Sequence, residues 1–160
     1  MSRSEIFENI YAILRADPTL PTLLGPSTPN NPRILRAYSQ LTEILSTPPG
    51  YEPSGGEGWL VLQEIEPGLR ASSDQLESIE EYTDIDFFVY ATRYSIGDDV
   101  NDVLDQSFNW SIGQQRDVKF GERFLLFTRR MNTFESYAQE IKMFVKQLRF
   151  RMTFVVDTLV

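Results

Sequence analysis

The segment DIDFFVYATRY, residues 84–94, limits what this chain can fold into more than any other stretch. In an extended strand successive side chains point to opposite faces. Ile85, Phe87, Val89 and Ala91 then share one face, and Phe88, Tyr90 and Tyr94 the other. Both faces are too apolar for an exposed hairpin, so the spacing predicts a central strand covered on both sides. Gly97-Asp98 reads as the break after it, and Val100, Val103, Leu104 and Phe108 then recur at i, i+3, i+4 and i+8. That is the stripe of an amphipathic helix. Asp98 suits its N-cap, with Asp99 and Asp102 near the positive end of the helix dipole. The unit from Ile79 to Trp110 is thus a core, without a chemistry of its own.

Toward the N-terminus, Ser2-x-x-Glu5 is a candidate capping box, followed by Ile6, Ile10, Ile13 and Leu14 on one helical stripe. Asp17-Pro18 ends that helix and starts a short second one, with Asp17 as cap, Leu20, Leu23 and Leu24 as contacts and Gly25-Pro26 as stop. PSTPNNP (26–32) is a loop, RILRAYS (33–39) a short strand, and QLTEIL its extension or a helical turn. A long Pro/Gly-rich loop at 46–58 carries Tyr51, and WLVLQEIE (59–66) is the next strand, closed by Pro67-Gly68. LRASSDQLES reads as a polar loop, SIGQQRD as a connector, DVKF as a short strand and RFLLFTRRM (123–131) as a longer one. From Phe134 to Lys146 the apolar residues fit a helix and a strand equally, and both readings stand. QLRFRMTFVV alternates as a half-buried strand should, with Leu148, Phe150, Met152, Phe154 and Val156 inward. The chain reads as one α+β domain over 1–160: a mainly antiparallel sheet with an N-terminal helix and a central amphipathic helix packed on one face.

Composition excludes more than it selects. There is no cysteine and no histidine, which removes disulfides, thiolate nucleophiles, Ser-His-Asp triads and His- or Cys-ligated zinc. The expectation is a protein that is not an enzyme and takes no cofactor. No uninterrupted apolar run is longer than Phe87 to Ala91, far too short to span a bilayer, and the first residues lack the apolar core of an export signal, so no membrane partner is expected. A net charge of −8 disfavours tight binding to nucleic acid, although it suits a wall past which nucleic acid must move.

Three constellations invite chemistry, and each has a plainer explanation. Asp84 and Asp86 share a strand face and, with Glu64 or Glu66, offer oxygens for a hard divalent cation, as in a metal-dependent hydrolase. They equally mark where the strand leaves the core, and no metal site is assigned to them. Asp98, Asp99, Asp102 and Asp105 lack the spacing and glycine of an EF-hand, so capping and a solvated face explain them. Glu140-Ile-Lys142 echoes the Glu-x-Lys of metal-dependent nucleases, a three-residue match in a highly charged chain. Gly55-Gly56-Glu57-Gly58 lacks the lysine and hydroxyl of a P-loop. Arg129, Arg130, Arg149 and Arg151 are read as cross-strand or intersubunit partners for the acidic excess, and Tyr51, Trp59 and Trp110 as interface anchors.

Together the parts resemble the bacteriophage tail completion (tail terminator) proteins, small ring-forming proteins of the head-tail joint. IFENIYAILRADPTLPTLLG resembles their N-terminal helix and Leu-rich turn, YTDIDFFVYATRYSIGDDVNDVLDQ their long strand and helix, and Leu148-Arg149-Phe150-Arg151 their terminal strand. The loop at 46–58 departs from the family, whose shorter members pass more directly between strands. The resemblance implies a structural virion protein, assembled in the host cytoplasm. It would form a ring, commonly a hexamer, that caps the head-proximal end of the tail tube, stops polymerisation and docks the head connector. A head-tail connector component is the neighbouring alternative. Its partners would be its own copies, tube protein and a head completion protein, with DNA passing through unbound. On that picture some of Glu64, Glu66, Asp84, Asp86, Asp98 and Asp99 face the lumen.

Overall fold

The computed structural model describes residues 3–46, 56–64, 68–71, 78–108, 119–120 and 123–157. The chain opens with α1 (Arg3–Ala16). It ends where Pro18 disfavours helical backbone at Asp17. The next helix, α2 (Leu20–Leu24), starts later than the sequence suggested: Thr19 is its N-cap, Pro21 lies in its first turn, and Asp17 Oδ1 accepts the Thr19 N–H at 2.8 Å. Gly25 stops it with φ at +103°, a backbone state that side-chain-bearing residues resist.

After the turn at 26–33 come β1 (Ile34–Leu35) and α3 (Tyr38–Ser46), so most of the stretch read as strand or turn is helix. The remaining elements are β2 (Gly58–Glu64), β3 (Gly68–Ala71), β4 (Ser78–Ala91), α4 (Tyr94–Phe108), β5 (Lys119–Phe120), β6 (Arg123–Ala138) and β7 (Met143–Asp157). They form one seven-stranded sheet in the order β1-β2-β4-β7-β6-β5, with β3 beside the first part of β4. Among the described residues only β1 runs parallel to its neighbour. The fold is α+β and mainly antiparallel.

β4 and β7 pair over their length, from Ser78 opposite Asp157 to Ala91 opposite Phe144. The alternation read from the sequence holds on β4. Ile85, Phe87, Val89 and Ala91 join Leu148, Phe150 and Met152 in the main core under α1, α2 and α4. Phe88 and Tyr90 turn to a second core with Trp59, Val61 and Leu41 under α3. The helices therefore cover both faces, because α3 crosses to the side where Trp59 and Val61 point. Phe87 stacks on Phe108 at 5.4 Å and meets the edge of Phe150 at 5.5 Å. Gly58 lets two helices close on β2: a Cβ there would lie 3.1 Å from both Ile96 and Leu24.

Three further differences have local causes. The strand ends at Ala91 and α4 starts at Tyr94, so Gly97 and Asp98 lie inside the helix and Asp98 is not its cap. Ile96, buried one turn before Val100, extends the stripe backward. Tyr94 consequently sits on the first turn, half exposed, not on the strand. The polar stretch read as a loop contains β3, whose strand character comes from its ladder with Ile79–Tyr82 and not from an apolar period. The ambiguous stretch is strand, turn, strand: β6 runs to Ala138, residues 139–142 turn with Lys142 at φ +54°, and β7 begins at Met143. The candidate capping serine, Ser2, and most of the 46–58 loop lie outside the described residues.

Replacing Phe87 by alanine should cost about 3–5 kcal/mol in urea unfolding, because it opens the fully buried centre of the main core. Phe134→Ala, at a side chain 55% exposed, should stay within about 0.5 kcal/mol in the same measurement.

Candidate functional site

The register of β4 on β7 builds the most distinctive surface. On the face away from the main core it sets Asp84 opposite Arg151 and Asp86 opposite Arg149. Each guanidinium forks onto its carboxylate. Arg149 donates Nε to Asp86 Oδ1 at 2.8 Å and Nη2 to Oδ2 at 3.1 Å, and Arg151 treats Asp84 in the same way and at the same distances. Such two-point, charge-assisted contacts are among the stronger side-chain hydrogen bonds. Gln147 adds a third donor to Asp86 at 3.0 Å, and Arg151 lies 4.2 Å from the centroid of Tyr82. The hydrogen bonds that the guanidinium groups donate to the carboxylates, partly offset by desolvation, hold both groups above their ordinary pKa.

The exposure is asymmetric. The arginine side chains are 34% and 37% exposed, while Asp86 and Asp84 beneath them are 5% and 13% exposed. Solvent therefore meets the cations. The same two aspartates were candidate metal ligands, but their oxygens answer to arginine. Among the described residues no group of three or more acidic side chains is placed to hold a metal ion.

Past Gln147 the same face turns aromatic. Phe88, Tyr90 and Tyr38 of α3 line a cavity of about 300 Å³ with Phe134 and Val145 of the β6–β7 hairpin. Tyr38 and Tyr90 sit 5.4 Å apart between ring centroids. Burial, with the Tyr38 phenol adding to it, pushes the Tyr90 hydroxyl up from 10.0 to about 12.

The opposite face of the hairpin carries a polar knot on α4. Tyr94 donates its hydroxyl to Glu135 at 2.8 Å. Lys146 Nζ binds Asp98 and lies 3.3 Å from Glu135, and Arg130 meets Asp105 at 2.7 Å. Burial alone would lower the Lys146 pKa, but its bonds to Asp98 and Glu135 raise it overall. Phe144 packs between Tyr94 and Tyr137. Asp98 is thus engaged by β7 instead of capping a helix, while Asp99 is exposed.

Other sequence candidates fall elsewhere. Trp59 is no exposed anchor: it is fully buried, donates Nε1 to Asn31 Oδ1 at 2.9 Å and carries the Arg33 guanidinium 4.6 Å above its ring. Glu64 stands opposite Ile85 and Arg129 opposite Arg151 in the ladders. Glu140 and Lys142 occupy the hairpin turn. Tyr51, Glu66 and Trp110 lie outside the described residues. The sequence did not single out Phe134, Tyr137, Phe144, Glu135 or Lys146. Reading residues 134–146 with period two would have put Phe134 and Tyr137 on opposite faces of one strand.

No protein-family model matches the chain, and no curated protein matches it in sequence. A solved structure does. The chain shares its fold with a chain of the virion of a native gene transfer agent (GTA) particle. The TM-score is 0.62 at 15% identity, over 92% of each chain. The likeness to the GTA chain therefore takes in nearly the whole of both, and at that identity it is a likeness of fold and not of particular side chains.

Two outcomes follow from this surface. Arg149→Ala should destabilise the protein by about 2 kcal/mol in denaturant titration, because among the described residues Asp86 then stays buried with Gln147 as its one side-chain donor. Tyr90 keeps its proton in the folded state from pH 10 to about 12, while its unfolded counterpart releases one. That contribution is complete below pH 10.0 and is lost as pH rises toward about 12. Tyr90→Phe should flatten the alkaline loss of stability in that interval, and absorbance near 295 nm should show one late-titrating phenol fewer.

Proposed function

We propose that this chain is a structural protein of a phage-like virion. In this reading it forms a ring, commonly a hexamer, at the head-proximal end of the tail tube, halts tube growth and presents the surface on which the head connector docks. The observation that carries the proposal is the fold shared with the GTA virion chain over 92% of both chains. The tail-cap assignment rests on the sequence resemblance, and the packing lends it coherence. Its three segments supply Ile10, Leu14 and Leu24, then Phe87, Val100 and Leu104, then Leu148 and Phe150, all in one core. Residues scattered over the sequence are thereby a single packed unit, as a shared architecture requires.

The charges fit a conduit. Asp99, exposed on α4, and the glutamates at 64 and 66 are the candidates for an acidic lumen wall. Asp84 and Asp86 contribute less, since arginines cover them. Like charge keeps DNA from adsorbing as it passes. The function would reside in surfaces and their geometry, with catalysis playing no part.

The test is polymerisation of the cognate tail-tube protein with and without the purified chain, scored by negative-stain microscopy. Tubes should become shorter in proportion to added protein, with a ring at one end. A length distribution that does not change would defeat the proposal.

A further inference from the structure

A cavity of about 460 Å³ opens between the end of α1, α2 and the turn at 26–33. Its apolar lining comes from Leu14, Leu20 and Leu24, buried members of the main core, with Pro21, Pro29 and Pro32 around them. Its polar lining is basic and hydroxylic, from Arg15, Arg33, Tyr11, Ser27 and Thr28. Among the described residues no acid lines it, in a chain of net charge −8. An apolar cavity with a few convergent polar groups is the ordinary form of a small-molecule site.

Arg33 decides the chemistry. Its side chain is only 7% exposed, and arginines are rarely buried so far unless fully paired. The guanidinium is held in place by its surroundings. The Trp59 ring lies against it, Nε donates to the Pro26 carbonyl at 3.4 Å, and a Cβ at Gly25 would come within 3.4 Å of Cζ and Nη2. Yet Nη1 is buried and donates no hydrogen bond among the described residues. Glu57 Oε2 stands 3.9 Å away, near enough to balance charge and too far to accept. Arg15, exposed on the last turn of α1, faces the Tyr11 ring at 5.4 Å and has no ion pair among the described residues. Ser27 Oγ and Thr28 Oγ1 accept the N–H groups of Arg33 and Asn31, which leaves their own protons to donate. Two arginines against Glu57 leave one positive charge at the cavity.

We propose that this cavity binds an aliphatic carboxylate, with its chain over Leu14, Leu20 and Leu24 and its carboxylate toward Arg33 and Arg15. The guanidinium fork matches a carboxylate in shape, and one carboxylate matches the single excess charge. A neutral apolar ligand leaves Nη1 of Arg33 without an acceptor. Inorganic phosphate carries more charge than the site balances and leaves the leucines uncovered. A free fatty acid and the C-terminal leucine of a peptide present the same chemistry. The inference is independent of the ring reading, and the failure of either leaves the other standing.

The experiment titrates the full chain with octanoate by calorimetry and follows leucine methyl signals by NMR. Expected is saturable one-to-one binding, with intermolecular NOEs from the octanoate chain to the methyls of Leu14, Leu20 and Leu24. Octanol, the same chain without the charge, should bind about tenfold more weakly, and acetate, the charge without the chain, should not bind. Arg33→Lys should weaken octanoate about tenfold, because an ammonium lacks the fork. Arg15→Glu, at a surface position, should weaken it about fivefold and melt like the parent. Neither variant should alter octanol binding, which a collapsed cavity would. A peptide ending in leucine is compared as acid and as amide. An acid that binds tighter than octanoate names a chain end as the source, a weaker one names a free acid, and both support the site. Equal affinity for octanoate and octanol overturns the proposal, as do NOEs to Val145 in the aromatic groove instead, octanol losses in both variants equal to those of octanoate, or no saturable binding up to several millimolar.

Discussion

The pairing of β4 with β7 is the constraint on which the rest of the structure hangs. Its two faces demand the same register for different reasons. On one, Phe87, Ile85, Leu148 and Phe150 must all reach the main core. On the other, Asp84 and Asp86 must meet Arg151 and Arg149. A slip of one residue would turn every apolar side chain to the wrong face and strand the buried Asp86 and the partly buried Asp84. The ion pairs therefore serve register more than net stability, since the desolvation of such pairs offsets much of their attraction. Helices α1, α2 and α4 rest on one face of this ladder and α3 on the other.

Strands with a clean period of two were legible from the residues alone. β7 and the alternation of β4 could be read from side-chain order because each face is committed to a different environment. The arginines were read as cross-strand or intersubunit partners for the acidic excess, but which acids they meet was not legible, because that depends on the register of β4 on β7. Residues 134–146 were not, because an apolar residue every three or four positions fits a helix and also fits a hairpin whose turn falls between two strands. The start of α4 was hidden by Gly97, which usually punctuates and here only sits inside a helix close to Lys146. Trp59 was misplaced for a more general reason. Its neighbours Gly58 and Glu57 suggest a surface, but its burial is decided by Asn31 and Arg33, which are remote in sequence.

The interior and the hairpin surface of the molecule differ in character. Its apolar interior is organised as a sheet between helices, an architecture that also occurs in a chain of the GTA virion. Its individuality is on the hairpin, where arginines and aromatics come together at side chains that the core does not require.

The position of β7 has a consequence for synthesis. It follows every other strand in sequence yet lies between β4 and β6 in the sheet. Until the chain has emerged as far as Asp157, β4 lacks its longest partner and β6 has no inner neighbour. A nascent chain can form its helices early, but the sheet must wait, and its closure joins segments far apart in sequence. Such topologies fold late and slowly. The hairpin therefore takes shape only once the chain through Asp157 has been made, so the arginine row and the aromatic groove beside it are absent from any shorter piece.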